Sequence, residues 1–405
     1  MNIFIVGDGI IGLTTALELQ GRGHSVTVYE RDTGGSVAAS YGNAGHIATE
    51  QVEPLASQAM IRGAFSRLFA RGGALSLPPG GMSQWLPFSL RMMRAAKPET
   101  FARGKTALSR LISDALPAWR RRLGDIGVTD LLREDGHFVV WETPATAAAG
   151  LKSWHAADTG MARFREADAE ALTALRGLTK VAIAGAIRFD GTAQIADPRR
   201  LLETLAARLV ERGGHVVHEP VTGLRVEGGR VVVGAASADA VVVCAGVWSK
   251  PLMEGLGYKV PIVAERGYHL QSTVPTWPQG LPPIVFEDRS MVVTRFESGV
   301  RAASFVEFNR TDAAPDARKW QRLESHVREL GLPFGDPQKA ARWMGARPTL
   351  PDYLPAIGQA KGLPVYYAFG HQHLGLTLAA VTAERVGAMI DDGVVLPEFD
   401  LSRFA

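Results

Sequence analysis

The sequence predicts an α/β fold: a Rossmann-like dinucleotide-binding domain interleaved with a mostly antiparallel second domain. Three observations carry this. The chain opens on a complete βαβ fingerprint, further strand–helix units recur near residues 197–246 and 365–389, and stretches of antiparallel strand character lie between them.

The elements follow in order. Residues 1–6 form an apolar strand that runs into Gly7-Asp8-Gly9-Ile10-Ile11-Gly12, a G-x-G-x-x-G turn. Residues 13–20 have a helical apolar pattern, and residues 25–30 form a second strand ending in Glu30. Gly7 permits the tight turn, Gly9 lets the backbone approach a pyrophosphate, and Gly12 lets helix and strand pack closely. The free N–H groups of the helix start suit phosphate, and Glu30 suits the ribose hydroxyls. This fingerprint does not separate NAD from FAD. Asp197 and Pro198 sit at N-cap and N1 of a helix reaching about Arg212. Residues 215–218 form a strand, residues 221–235 a meander, and residues 239–246 a buried strand ending in Ala245 and Gly246. Residues 365–369 form a strand that breaks at Gly370, and an apolar helix runs from Gly375 to Met389. Antiparallel strands are expected at 136–141, 181–189, 261–272, 291–296 and 300–308. The domain division expected is 1–55, 187–255 and 340–405 for the dinucleotide domain, with 56–186 and 256–339 for the other.

Composition excludes several classes. The chain has 405 residues, of which 46% are hydrophobic and 21% charged, which is ordinary for globular domains. Its one cysteine, Cys244, excludes an internal disulfide and a thiolate metal cage. No apolar run is long enough to span a bilayer, and the chain begins on a strand, not a signal peptide, so a cytoplasmic address is expected.

The net charge of +3 is uneven. Residues 55–122 carry twelve Lys or Arg against only Glu99 and Asp114, while the remainder holds 32 basic and 39 acidic residues. This basic segment also contains apolar runs at 64–65, 68–69, 85–88 and 92–93. That mixture suggests contact with the inner face of a membrane or with a respiratory electron acceptor. It lacks interleaved aromatics and any nucleic-acid-reading module, so no nucleic-acid partner is expected.

Several motifs are shared with one family. They are the fingerprint with Glu30, Ser40-Tyr-Gly-Asn43-Ala44-Gly45-His46, Arg266-Gly267-Tyr268, and Gly345-Ala-Arg347-Pro348. Further matches are Pro351-Asp352, Leu354-Pro-Ala-Ile-Gly358, and Gly370-His371 with Leu374-Gly375-Leu376-Thr377. On these motifs, nearly the full length resembles the FAD-dependent D-amino-acid dehydrogenases of the D-amino-acid oxidase/sarcosine oxidase superfamily, the hydroxyproline-oxidising branch in particular. The resemblance implies that FAD, held non-covalently, is the cofactor, since Cys244 lies in a buried strand where an inert thiol is expected. It implies oxidation of the Cα–N bond of an amino or imino acid, with hydride passing from Cα to flavin N5 and leaving an imine. The family carries Gly at the position of Gln372 and a small polar residue at that of His373.

The resemblance also assigns residues. Arg347 is expected to hold the substrate carboxylate with its planar fork. Tyr268 is expected to donate its phenol to the same group. His46 and His371 are expected at the flavin, where either of them, or His373, could meet a substrate hydroxyl. Gly7, Gly9, Gly12, Glu30, Arg31, Ser40, Asn43, Ala44, Gly45, Ala245, Gly246, Gly370, Leu374, Gly375, Leu376 and Thr377 are expected to line the cofactor. The helix starting at Gly375 would stabilise negative charge on the reduced ring. His371 and His373 lack a nearby carboxylate, so no metal site is expected. The preferred substrates are cis-4-hydroxy-D-proline or D-proline. A soluble oxidase producing hydrogen peroxide and a non-catalytic FAD-binding relay subunit remain as alternatives.

Overall fold

The computed structural model describes residues 1–31, 38–273 and 276–405. A six-stranded sheet holds the fingerprint. Its order is His215–Val217, Ser25–Tyr29, Asn2–Val6, Ala240–Val243, Val365–Phe369, Ala356–Gln359. The first five strands are parallel and the last is antiparallel. Ile3, Ile5, Val26, Val28 and Val241 are buried, as continuous apolar runs require when both sheet faces are covered. The Ile10–Gly21 helix packs between the Gly375–Asp392 and Pro198–Glu211 helices on one face. The meander Arg225–Glu227, Arg230–Val233, Ala236–Ala238 covers the other through Val231, Val233 and Ala238. The chain leaves the Asn2–Val6 strand toward Ser25–Tyr29 and later adds Ala240–Val243 on the opposite side. This reversal opens a crevice at the carboxyl ends of the strands.

The second, nine-stranded sheet is mostly antiparallel. Val263–Ser272 lies between Ala341–Thr349 and Gly299–Asn309, and the sheet continues through Met291–Phe296, Ile284–Phe286, His137–Trp141, Gly185–Asp190 and Arg163–Glu166. Among the described residues, only the Ile284–Phe286/His137–Trp141 pair and the short Leu75–Ser76 strand on Gly299–Asn309 are parallel in this sheet. This sheet moves two of the expected boundaries. Gly185–Asp190 pairs with His137–Trp141, so position 187 falls inside a strand of the second sheet. Ala341–Thr349 pairs along Val263–Ser272, so the strand placed with the dinucleotide domain hydrogen-bonds in the other sheet.

The basic segment divides as well. Arg120, Arg121 and Arg122 pair with Glu134, Glu384 and Glu18, and Lys105 pairs with Glu53 and Asp158. The Pro98–Ser113 and Ala115–Asp125 helices bury Leu108, Leu111, Ile112, Ala115 and Trp119 in the main core. That part of the segment is a packed helix pair in which Lys105, Arg120, Arg121 and Arg122 are matched by the body. No helix among the described residues is long and apolar enough to cross a membrane.

Candidate active site

The fingerprint turn is built by close approach. At Gly7, φ is +106°, and a Cβ there would stand 2.7 Å from the carbonyl oxygen of Cys244. A Cβ at Gly12 would lie 1.8 Å from the oxygen of Gly7. Among the described residues, a Cβ at Gly9 would meet only Ser40 Oγ, at 3.4 Å. Gly9 caps the Ile10–Gly21 helix without a side-chain bond, while Ser40 Oγ accepts the Ile10 N–H at 3.0 Å. Glu30 accepts the N–H groups of Asp8 and Arg31. Arg31 stacks 4.0 Å over the Trp248 ring, just beyond Ala245 and Gly246.

The turn from Ser40 to His46 is clamped by the second sheet. His269 Nδ1 bonds the Gly42 oxygen at 3.2 Å, Arg301 donates to the Asn43 oxygen, and Thr294 Oγ1 donates to the Ala44 oxygen at 3.0 Å. Asn43 Oδ1 accepts the Gly45 N–H at 2.7 Å, so Asn43 shapes the turn itself. A Cβ at Gly42 would strike the Trp343 ring at 2.3 Å, and that ring stacks on His269. Arg301 is buried, and burial lowers its pKa to about 10.

Arg347 sits opposite Glu265 in the register of two antiparallel strands, so both side chains leave the same face. Arg347 Nη1 donates to Glu265 Oε1 at 3.1 Å and to the Phe305 oxygen at 3.3 Å. The guanidinium lies over Gly267, where a Cβ would be 2.3 Å from Nη2. Thr349 Oγ1 and the Tyr353 hydroxyl donate to Glu265 Oε2. Burial and the Glu265 carboxylate raise the Tyr353 phenol well above its ordinary range, so it remains a donor. Backbone strain gathers here: Phe305, Tyr353 and Gln372 have φ of +71°, +56° and +50°. The value at Gln372 gives a reason for the Gly of the family, and Gln372 holds the conformation by donating to the Tyr353 oxygen.

A polar chain lies near this pair, His373 being close enough to feel the charges of Glu265 and Arg347. His373 Nε2 bonds Gln51 Oε1 at 2.7 Å, Gln51 Nε2 donates to Glu50 Oε1 at 3.2 Å, and His46 Nε2 bonds the same oxygen at 3.0 Å. His137 packs edge-on against His46 at 4.5 Å and bonds Thr192 through Nδ1. Burial would raise the Glu50 carboxyl, but the charge and hydrogen bond of His46, with His137 beyond, hold it at about 2. An ionised Glu50 only accepts, which orients Gln51 and places the proton of each bonded imidazole nitrogen, on His46 and on His373, at Nε2. Burial lowers His373 to about 4 and His137 to about 3, so both are neutral near pH 7. His46, Glu50 and His137 also form a group of ligand atoms close enough to hold a cation. The direct His46–Glu50 bond and the Thr192 bond account for their approach.

Two expected catalytic residues lie elsewhere. Tyr268 is one residue out of phase with Gly267 and points to the opposite sheet face. Its hydroxyl is bonded by Arg266 at 2.8 Å and by the Asp316 N–H, beside the buried Glu307–Lys319 pair. That is a structural charge network, and no carboxylate-binding role remains for Tyr268. His371 is also turned away from the polar chain. It bonds Thr382 Oγ1, inside the Gly375–Asp392 helix, at 3.0 Å, and burial lowers its pKa to about 3. Of the expected cofactor residues, Thr377 Oγ1 accepts the Ala48 N–H and the Leu376 oxygen accepts the Trp119 indole N–H. Gly370, with φ +78°, passes under Leu350, while Leu374 and Gly375 begin a helix that lacks a side-chain cap. The sequence reasoning missed Glu50, Gln51, Glu265 and His137. For Glu265 a signal existed: adjacent charges inside an otherwise apolar strand need buried partners.

The family model for FAD dependent oxidoreductases matches residues 2–389. The chain belongs to this family of flavoenzymes. It is 29% identical over 416 residues to a D-amino-acid oxidase of Bradyrhizobium diazoefficiens, covering all of this chain and 98% of that one. It is 29% identical to a D-amino acid dehydrogenase of Cereibacter sphaeroides, covering 96% and 92%. In structure it resembles glycine oxidase from Geobacillus kaustophilus, with a TM-score of 0.69, 22% identity, and 100% and 97% coverage.

The cofactor of the flavoenzyme is FAD, and the residues fit it. Among the described residues a Cβ on Gly9 would meet only Ser40 Oγ, and two helix starts lack side-chain caps. Buried polar atoms without partners also collect at this end of the molecule: His46 Nδ1, Glu50 Oε2, His371 Nδ1 and His373 Nδ1. Burial pushes the Cys244 thiol up to about 12, which leaves it inert toward covalent attachment.

Proposed function

We propose that this flavoenzyme is a dehydrogenase of D-amino or cyclic imino acids, with cis-4-hydroxy-D-proline or D-proline preferred, and that it passes electrons to a respiratory acceptor. The full-length relatives named D-amino-acid oxidase and D-amino acid dehydrogenase support the substrate class. The observation that carries the reading is the placement of Arg347 against the chain His373–Gln51–Glu50–His46. Arg347 uses one amino group on Glu265, and its Nη2 has no partner among the described residues. A substrate carboxylate can therefore bind beside Glu265, which Thr349 and Tyr353 hold in place.

Bound FAD supplies the two-electron acceptor for the hydride leaving the α carbon. Arg347 orients the substrate so that the Cα–H is presented in one direction. A secondary amine in a ring needs little further ordering. This reading gives the ring hydroxyl to His46 or His373, whose Nδ1 atoms are buried without partners among the described residues, and a buried imidazole matched to that group disfavours substrates lacking it.

The deciding experiment is anaerobic bleaching of the flavin across D-amino, L-amino, N-methylated and cyclic imino acids. Turnover should be fastest with cis-4-hydroxy-D-proline, with kcat/KM above that for D-proline. Faster turnover of D-alanine or D-arginine would refute the imino-acid preference. Stoichiometric hydrogen peroxide in air would refute the dehydrogenase assignment in favour of an oxidase. Full activity after Arg347→Ala would favour a relay subunit.

A further inference from the structure

The part of the basic segment left unmatched by the body is the Met82–Ala95 helix and its surroundings. This helix has two apolar faces. The inner one carries Trp85, Phe88, Met92 and Ala95 into a cluster with Val263, Phe308 and Tyr353. The Phe88 ring lies 5.1 Å from Phe308 and 6.5 Å from Tyr353, whose hydroxyl bonds Glu265 at the substrate-binding arginine. The outer face carries Met82, Leu86, Leu90 and Met93, spaced four, four and three residues apart. These side chains are between 44% and 52% exposed. That is one continuous apolar ridge on a helix.

Exposed cations lie on this helix and on the Pro98–Ser113 helix that follows it. Arg91, Arg94, Lys97, Arg103 and Arg110 are exposed and have no carboxylate partner among the described residues. Between residues 82 and 110 the only acid is Glu99. Scattered exposed apolar residues are ordinary on a protein surface, but an aligned row with unmatched cations on its own and the next helix is not. A second copy of the chain is a poor occupant. A two-fold interface on this ridge would bring the same cations face to face. An anionic lipid surface satisfies both features, taking the apolar row into its acyl boundary and the cations among its headgroups.

We infer that the Met82–Ala95 helix seats the flavoenzyme on an anionic bilayer surface, lying in the interface with Met82, Leu86, Leu90 and Met93 inserted. This deepens the proposed respiratory role by naming where the enzyme meets the membrane. The seat is linked through Phe88 and Tyr353 to the residue that positions Arg347.

The test is flotation of the FAD-loaded enzyme with vesicles of phosphatidylcholine alone and of phosphatidylcholine with phosphatidylglycerol. Binding should be confined to the anionic vesicles at low salt and weaken at high salt as the charges are screened. Leu86→Glu with Leu90→Glu should weaken it about tenfold or more, and Arg91→Glu with Arg94→Glu should reduce its dependence on anionic lipid. Both variants should retain turnover with a soluble dye acceptor, so failure here is distinct from failure of the catalytic reading. Absence of binding at low salt, or equal binding to neutral vesicles, would overturn the inference. So would a concentration-dependent dimer that Leu86→Glu dissociates.

Discussion

Arg347 lies across the bare backbone of Gly267, and a single added carbon there would stand 2.3 Å from its Nη2. The glycine of the Arg-Gly-Tyr motif is therefore a space reserved for an arginine eighty residues later in the chain. It follows that Gly267→Ala should act on catalysis through Arg347. Its kcat/KM should fall about tenfold to a hundredfold, approaching Arg347→Lys, because the fork is displaced from a bidentate contact. The obstacle is the far end of a flexible side chain, so the melting temperature should change little. Steady-state kinetics and a thermal melt on the same preparation test both halves; a large loss of stability with normal kinetics would contradict the assignment.

Gly9→Val should yield folded protein without flavin. Among the described residues only Ser40 Oγ approaches a Cβ at Gly9, and a branched side chain would occupy the route of a pyrophosphate to the helix start. The flavin-to-protein absorbance ratio after gel filtration measures this. A ratio equal to that of the native enzyme would remove the fingerprint from cofactor binding.

The histidines should separate by role. His373→Ala should lower the preference for cis-4-hydroxy-D-proline over D-proline about tenfold, the effect of losing one hydrogen bond to a buried group. His371→Ala should leave that preference unchanged and cost about 1–3 kcal/mol of stability, because Thr382 loses its buried partner. If His371→Ala alone alters the preference, the structural role given to His371 is wrong.

Stability should fall on mild acidification. His371 and His373 have folded pKa values lowered by burial to about 3 and about 4, against 6.5 when exposed. His137 is lowered to about 3 by burial and by His46. For a lowered pKa the contribution is complete above the unfolded value and is lost as pH falls toward the folded one. Each group can contribute a slope of up to about 1.4 kcal/mol per pH unit below 6.5. Glu50, held at about 2 against 4.5, adds a second decline below 4.5. Urea midpoints across this range should show the first decline, and His371→Gln should make it shallower. A flat profile down to the carboxylate range would show that these rings are not buried as neutral groups.

Dialysis against a chelator should leave turnover and flavin content unchanged, since the His46–Glu50–His137 group is held by its own hydrogen bonds. Loss of activity with restoration by a divalent cation would make it a metal centre.

What could be read along the chain was what is decided along the chain. The G-x-G-x-x-G turn needs particular backbone angles and contacts within a few residues, so spacing alone exposed it. The helix beginning at Pro198 announced itself through Asp197 in the same way. Arg347 was reachable because its strand carries a recognisable motif. Tyr268 was misplaced because side chains alternate faces along a strand. Only the pairing of Val263–Ser272 with Ala341–Thr349 shows that Glu265 and Gly267 share a face with Arg347 while Arg266 and Tyr268 face away.

The sequence by itself determined the cofactor fold and singled out Arg347. The tertiary structure alone decided which polar groups surround them. Glu50 and Gln51 meet His373 across more than three hundred residues, and His137 reaches His46 from another strand. Their partnership is set by burial: a carboxylate or imidazole withdrawn from water must find hydrogen-bond partners wherever the packed chain brings them. No local pattern encodes that meeting.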